Sequence, residues 1–174
     1  AGRFGRSYCP GRSWQALSHT MITLLPPLTV ADLGAGEGTL AQLLAKKARK
    51  VIAVDNAPKM VEFGAQLAKR HGFKNLEYRL GDIEDPPIDK NSVDLAFLSQ
   101  ALHHAEEPAK TVAAGYRILK PGGQIMILDL LKHTFDRAHE LYGDRWPGFA
   151  ESDLHRWLEE AGFKKIEINV VARE

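Results

Sequence analysis

Three glycines alternate with other residues directly after an apolar segment, and the order from Val30 to Gly38 is Val-Ala-Asp-Leu-Gly-Ala-Gly-Glu-Gly. Glycine lacks a Cβ and adopts positive φ readily, so the backbone can turn sharply there and a ligand can approach it closely. A helical pattern begins directly afterwards, at Thr39. A strand, a glycine-rich turn and a helix in this order predict the first ligand-binding loop of an α/β fold. The alternative is a tight turn that binds nothing.

The spacing of these glycines disfavours a dinucleotide. Counted from Gly34, the pattern G-x-G-x-x-G needs its third glycine at the position of Thr39. Asp32, two residues before the first glycine, would repel a pyrophosphate and attract a cation. The loop therefore predicts a cationic ligand and argues against an NAD-dependent oxidoreductase.

Length, charge and cysteine content narrow the class of protein further. The 174 residues suffice for one domain with a single core, and a net charge of +1 creates no strong field toward nucleic acid or an anionic membrane. No apolar run approaches the roughly 20 residues of a membrane span, so no membrane association is predicted. The single cysteine, Cys9, cannot form an internal disulfide and is compatible with a cytoplasmic location.

Short apolar strands alternate with helical patterns along most of the chain. We predict strands over residues 29–33, 50–54, 76–80, 93–98, 124–130 and about 165–171, and helices over 14–25, 39–48, 58–70, 108–119 and 152–161. This alternation predicts a Rossmann-like, doubly wound and mostly parallel sheet with helices on both faces. Residues 1–28 would form a loop and a cap helix before a ligand-binding domain over 29–174, which residues 132–150 interrupt as a lid insertion.

Acidic residues occur at three successive predicted strand ends, where ligands of such sheets bind. Besides Asp32, these are Asp55 after the second strand and Asp82 after the third. Asp55 can accept hydrogen bonds from two ribose hydroxyls, or either Asp55 or Asn56 can cap the following helix. Asp82 can accept a bond from an exocyclic amine, or it is a simple loop acid. No Lys or Arg is adjacent to these acids, which disfavours a phosphate ligand.

The segment Asp32-Leu33-Gly34-Ala35-Gly36-Glu37-Gly38 resembles the first motif of class I S-adenosylmethionine-dependent methyltransferases. Val54-Asp55-Asn56 with Met60 is similar to their second motif, and the resemblance extends over about residues 29–171. It implies S-adenosylmethionine as the cofactor and S-adenosylhomocysteine as its product. In this family an apolar residue such as Ile83 packs on the adenine. The implied cofactor-binding residues are Asp32, Gly34, Ala35, Gly36, Thr39, Asp55, Asn56, Met60, Gly81, Asp82, Ile83, Ser99 and Gln100.

The end of the fourth strand indicates the kind of acceptor. Ser99-Gln100-Ala101 departs from the motif of DNA-base methyltransferases, and the following Ala-Leu-His-His stretch resembles the small-molecule branch that includes the quinone-biosynthesis enzymes. The resemblance implies methyl transfer to a small-molecule acceptor by in-line displacement. His103 or His104 could act as a general base. Alternatively, one histidine packs against the cofactor wall and the other is solvated. No third ligand follows at a suitable spacing, so no metal site is predicted.

Two segments rich in aromatic residues are candidates to cover the acceptor, namely residues 4–14 and 133–149. Their predicted contact residues are Tyr8, Arg12, Tyr142 and Trp146. The alternative is that these side chains only pack a lid helix onto the sheet.

The start of the chain most resembles the methyltransferase part of bacterial fusions that carry an arsenical-repressor-type winged helix ahead of it. This resemblance implies a longer protein that meets nucleic acid only through such a domain. It also implies an alternative function, a sensory S-adenosylmethionine-binding module with little turnover. Arsenite-methylating relatives depend on several cysteines, so Cys9 alone argues against that activity. The family sheet normally has a seventh, antiparallel strand, which this pattern lacks, and an oligomer is compatible with the sequence.

Overall fold

A five-stranded parallel sheet forms the centre of the computed structural model, which describes residues 17–134 and 143–171. The strands are β1 Thr29–Leu33, β2 Lys50–Asp55, β3 Leu76–Leu80, β4 Val93–Ser99 and β5 Leu119–Leu128. The helices are α1 Thr39–Ala45, α2 Pro58–Arg70, α3 Pro108–Ile118 and α4 Glu151–Ala161, with a 3₁₀ turn over Leu102–His104. The strand order β3-β2-β1-β4-β5 confirms the predicted Rossmann-like, doubly wound class.

The three central strands, β1, β2 and β4, are largely buried because each face of the sheet carries its own apolar cluster. In β1, Ala31 and Leu33 belong to the cluster that includes α3 and α4, whereas Val30 belongs to the cluster that includes α1. Side chains alternate between the faces of a strand, so Asp32 shares the α1 face with Val30. This alternation places the Asp32 carboxylate inside the protein, beneath the start of α1.

The chain reverses its winding direction at β1, which pairs with β2 on one side and with β4 on the other. The loops that follow β1 and β4 therefore leave in different directions and open a crevice at the carboxyl end of the sheet. Every predicted strand-end acid belongs to β1, β2 or the loop after β3, which are neighbours in the sheet.

The fifth strand begins five residues earlier than the sequence pattern predicts. Val93 pairs with Leu119, and the next pair joins Leu95 to Gln124, so the ladder is interrupted between them. Pro121-Gly122-Gly123 lies in that interruption, and Gly122 has a φ of +80°. The predicted turn is thus a bulge within β5.

The predicted sixth strand over residues 165–171 is wrong, because the structure assigns no strand there. The alternating apolar residues are real, and Ile166 packs against the main core cluster. Alternation alone does not supply a hydrogen-bonding partner, however, and Val170 and Val171 are exposed. The apolar pattern therefore identified a segment that touches the core without joining the sheet.

Residues 17–22 are helical, within the predicted cap helix, yet Leu17, Met21 and Leu24 are exposed. Tyr8, Arg12 and Tyr142 lie outside the described residues. Among the helices that the structure describes, none is long and apolar enough to cross a membrane.

Candidate functional site

The glycine loop after β1 has the backbone that its sequence predicts. Gly34, Gly36 and Gly38 have φ values of +77°, +53° and +84°. The amides of Gly34 and Ala35 donate to the Val54 carbonyl at 2.9 and 3.0 Å, which holds the loop against the end of β2. A Cβ on Gly36 would meet no atom within 4 Å, so this part of the loop borders open space.

The loop also contacts the end of β4. A Cβ on Gly34 would lie 2.5 Å from the Ala101 Cβ, so only glycine fits between the two loops at the switch point. Gln100 precedes Ala101 with an unusual φ of +53°, and its amide donates to the Leu128 carbonyl at 2.8 Å. A left-handed non-glycine residue is strained, and such strain is often found at functional sites.

The contact between Gly34 and Ala101 gives a first prediction. Gly72 has the same φ of +77° but open space around it, so Gly72→Ala measures the backbone strain alone. We expect Gly72→Ala to lower the free energy of unfolding by about 1 kcal/mol, and Gly34→Ala by a further ~1–2 kcal/mol from overpacking. Urea denaturation measures both values. Adding Ala101→Gly to the Gly34→Ala variant should restore the ~1–2 kcal/mol that overpacking costs. Equal losses of stability in Gly72→Ala and Gly34→Ala would refute the contact between Gly34 and Ala101.

Asp55 joins the glycine loop to the helix that follows β2. One carboxylate oxygen accepts the Gly36 amide at 2.8 Å and the other accepts the Ala57 amide at 2.9 Å. The capping alternative is wrong, because Asp55 accepts the amide of Ala57, the residue that precedes α2, and no side chain caps that helix. Each oxygen keeps a further lone pair, so these bonds leave Asp55 able to accept from a ligand.

A cavity of about 300 Å³ opens where these loops meet. Of the sequence-predicted residues, it is lined by Gly34, Asp55, Asn56, Asp82, Ile83, Gln100 and His104. The lining also includes Ala101, at the predicted end of the fourth strand, and Arg145, from the predicted lid segment, as well as three residues that the sequence did not indicate, namely Glu84, Ala105 and Glu106. The lining does not include Asp32, Ala35, Gly36, Thr39, Met60, Gly81, Ser99, His103 or Trp146.

The charge of the cavity lining is mainly negative. Asp55, Asp82, Glu84 and Glu106 contribute carboxylates, whereas Arg145 contributes a guanidinium that pairs with Glu106 at 2.9 Å. Glu84 also accepts hydrogen bonds from the backbone amides of Glu106 and Glu107, which directly precede α3, at 2.7 and 3.0 Å. A cationic ligand is therefore favoured over a phosphate, as the sequence predicted.

Asp32 lies behind the cavity wall and is 2% exposed. Its carboxylate accepts the Ala41 amide at the start of α1, yet Oδ2 is buried without a hydrogen-bond partner. Burial raises the pKa of Asp32 to about 7, the Ala41 bond opposes this rise, and the charge of Asp55 adds to it. A buried, half-satisfied carboxylate of this kind is costly unless a cation or a donor compensates it.

The two adjacent histidines have different environments. His104 is exposed and lines the cavity, whereas His103 is buried between two acids. His103 Nδ1 lies 2.7 Å from Asp129 Oδ1, and its Nε2 lies 3.6 Å from Asp144 Oδ1. The hydrogen bond to Asp129 raises the pKa of His103, burial lowers it, and the charges of both acids raise it. One histidine is buried and the other exposed, as that alternative expects, but the exposed His104 rather than the buried His103 lines the cavity.

Part of the predicted lid packs against the 3₁₀ turn after β4. The amides of Arg145 and Trp146 donate to the His103 carbonyl at 3.0 and 3.1 Å, and the Trp146 indole donates to the Ala105 carbonyl at 3.0 Å. Trp146 also packs against the main core cluster. In the described part of this segment, Trp146 thus serves packing, and Arg145 is the side chain that reaches the cavity.

Asp129 could have been found by the same strand-end reasoning that identified Asp55. It follows β5 directly and accepts the amides of Leu102 and Leu130 as well as His103. The apolar pattern predicts a strand that ends at residue 130, which conceals the position of Asp129 at the strand end. Asp144 and Arg145 carry no such signal because they lie in an irregular segment.

The fold and the acid-lined crevice define a class of nucleoside-cofactor-binding α/β proteins. Residues 31–127 match the family model described as a methyltransferase domain, and the chain belongs to that family. It is 30% identical over 154 residues to an arsenite methyltransferase of Halobacterium salinarum, covering 83% of this chain and 39% of the relative. It is 27% identical over 182 residues to a demethylmenaquinone methyltransferase of Clavibacter sepedonicus, covering 88% and 73%.

A solved S-adenosylmethionine-dependent methyltransferase from Aquifex aeolicus has the same fold, with a TM-score of 0.68, 26% identity, and coverage of 89% of this chain and 79% of that one. The chain spans 39% and 34% of the length of two of the curated relatives that it matches.

The family and fold imply S-adenosylmethionine as the cofactor, and the residues present fit it. The glycine loop leaves space that a ligand can occupy, the cavity is acidic, and Asp32 Oδ2 lacks a partner. The sulfonium and ammonium groups of S-adenosylmethionine would meet carboxylates rather than cations there.

Proposed function

We propose that this protein transfers a methyl group from S-adenosylmethionine to a small-molecule acceptor. The observation that carries the proposal is the acid-lined cavity at the switch point, where the glycine loop, Asp55 and Asp82 come together. Asp55 accepts from the ribose hydroxyls, Asp82 accepts from the adenine amine, and Ile83 packs on the ring. Asp32 provides buried negative charge beneath the loop.

The protein contributes to methyl transfer mainly by positioning the donor and the acceptor. Methyl transfer is an in-line displacement, in which an acceptor atom forms a bond to the methyl carbon as the carbon–sulfur bond breaks and leaves its electron pair on sulfur. The protein holds the two reactants together and excludes water. An acceptor hydroxyl or thiol also has to lose its proton. His104 lines the cavity and His103 does not, so we assign acceptor activation to His104.

Relatives bearing the names of arsenite and demethylmenaquinone methyltransferases suggest two acceptor types. This sequence contains one cysteine, Cys9, whereas binding of arsenic through several thiolates requires more than one. A hydroxylated or quinol-like ring is therefore the acceptor class that we propose. The fusion to a winged helix and the cytoplasmic location stay predictions.

Calorimetry and a turnover assay test this function together. We expect S-adenosylmethionine and S-adenosylhomocysteine to bind with one site per chain, and NADH to bind far more weakly. Incubation with quinols, phenols and thiols should release S-adenosylhomocysteine with at least one acceptor, and His104→Asn should slow that release at least tenfold without changing donor affinity. Binding without any turnover would support the sensory module instead. A chain that folds yet binds neither donor nor product would refute both functions.

A further inference from the structure

A cluster beside the cavity has the composition of a metal site that sequence spacing does not reveal. His103, His104 and Asp144 each offer a ligand atom, and these atoms lie within 4.8 Å of one another. Asp144 follows His104 by 40 positions, so the sequence gives no local motif. The contact between the predicted lid and the 3₁₀ turn brings the third ligand to the pair.

The buried part of the cluster is spaced for two ligands of one ion. His103 Nε2 and Asp144 Oδ1 are 3.6 Å apart, which is too long for a hydrogen bond. Two ligands of a tetrahedral zinc ion, each about 2 Å from it, lie ~3.3 Å apart. Both side chains are only 6% exposed, so each would gain from a cation between them.

The other ring nitrogen of His103 has the partner that a metal-binding histidine usually has. Nδ1 lies 2.7 Å from the Asp129 carboxylate, which is 2% exposed and is itself fixed by two backbone amides. A carboxylate that accepts the far N–H of a histidine orients the ring and increases its basicity toward a metal. With Nδ1 held by Asp129, Nε2 is the ring nitrogen that faces Asp144.

We propose that His103, His104 and Asp144 bind a divalent first-row transition metal ion such as Zn²⁺. Two imidazoles and one carboxylate suit such an ion better than Ca²⁺ or Mg²⁺, which prefer oxygen ligands. Three protein ligands leave a coordination position open, as in catalytic rather than structural sites. His104 also lines the donor cavity, so the ion lies at the edge of that cavity.

The site also suggests an acceptor class, a point that rests on the proposed function. A hydroxyl oxygen at the open position would lose its proton to water more easily, because a bound metal ion lowers the pKa of a coordinated hydroxyl. His104 would then act as a ligand of the activating ion rather than as the base itself.

Titration of the whole chain with Co²⁺ tests the site without requiring turnover. We expect one equivalent to bind, to give the visible absorption of nitrogen- and oxygen-coordinated Co²⁺, and to be displaced by Zn²⁺. Asp144→Asn and His104→Asn should each weaken binding at least tenfold, and Asp129→Asn should weaken it 10- to 100-fold through His103. His155→Asn, on the exposed face of α4, is the matched control and should change nothing.

The outcomes separate this proposal from the proposed function. No stoichiometric Co²⁺ binding, or binding that is equally strong in Asp144→Asn and His104→Asn, would overturn the metal site. His103→Asn is not needed, so a folding defect at that buried position would not confuse the result. Methyl transfer that persists after chelation would overturn the metal's role with the acceptor while supporting the methyltransferase function. If the protein does not bind S-adenosylmethionine, the proposed function is refuted, and the Co²⁺ titration still decides whether the metal site exists.

Discussion

Replacing Asp55 by alanine is expected to weaken S-adenosylmethionine binding roughly 10- to 100-fold. The change removes the charged acceptor proposed for the ribose hydroxyls, and hydrogen bonds to charged groups contribute about 1.5–3 kcal/mol each. It also frees the Gly36 and Ala57 amides, so the glycine loop loses its connection to α2. Isothermal titration calorimetry with S-adenosylhomocysteine measures the loss, and Asp89→Ala, an exposed acid outside the cavity lining, is the control.

A ligand lacking the ribose 2′-hydroxyl separates ribose binding from loop support. The wild-type chain should bind the 2′-deoxy form of S-adenosylhomocysteine more weakly than the parent compound. Asp55→Ala should bind the two with similar affinity, because the partner of the hydroxyl is gone. If the variant still distinguishes them as strongly as the wild type, Asp55 supports the loop and does not bind the ribose.

Asp32→Asn is expected to stabilise the ligand-free protein above pH 7. The pKa of Asp32 is about 7 in the folded chain against an ordinary value of 3.8, so the folded state binds the proton more tightly. Stability is therefore lost as the pH rises from about 4 to about 7. The loss reaches about 4 kcal/mol once the group is ionised in both states. Asparagine is never charged, and its oxygen can still accept the Ala41 amide.

Urea denaturation of the wild type and Asp32→Asn at pH 5, 6, 7 and 8 measures this effect. The stability difference should grow with pH and level off above pH 7, while Asp89→Asn should show no such trend. The same variant should bind S-adenosylmethionine more weakly, because the buried negative charge is lost. A difference in stability that stays constant with pH would mean that Asp32 is ionised throughout.

The sequence predicted those parts of the molecule that depend on local pattern. Strand–glycine–helix order identified the loop, and the regular alternation of strands and helices identified the doubly wound sheet. The helix over residues 58–70 was predicted with its observed bounds, because Pro58 favours its start. These features follow from short-range steric and hydrogen-bonding preferences.

Features that depend on contacts between distant segments were not predictable in this way. Ala101 excludes a Cβ at Gly34, and Asp144 meets His103, only because separate loops converge at the switch point. The error at residues 165–171 has the same origin, since a strand exists only where another strand accepts its backbone bonds. The position of Asp32 before the glycines was apparent from the sequence, but its burial beneath α1 depends on which face of the sheet the helix covers.

Tyr78 fills the space that two glycines leave vacant. A Cβ on Gly38, at the end of the ligand loop, or on Gly64, in the middle of α2, would overlap the Tyr78 ring. One aromatic side chain thus sets how closely both segments can approach β3. In related sequences these three positions should change together, since a methyl group gained at either glycine requires a smaller side chain at position 78. Covariation of positions 38, 64 and 78 would then arise because their side chains compete for the same space, and not because they contact the methyl donor.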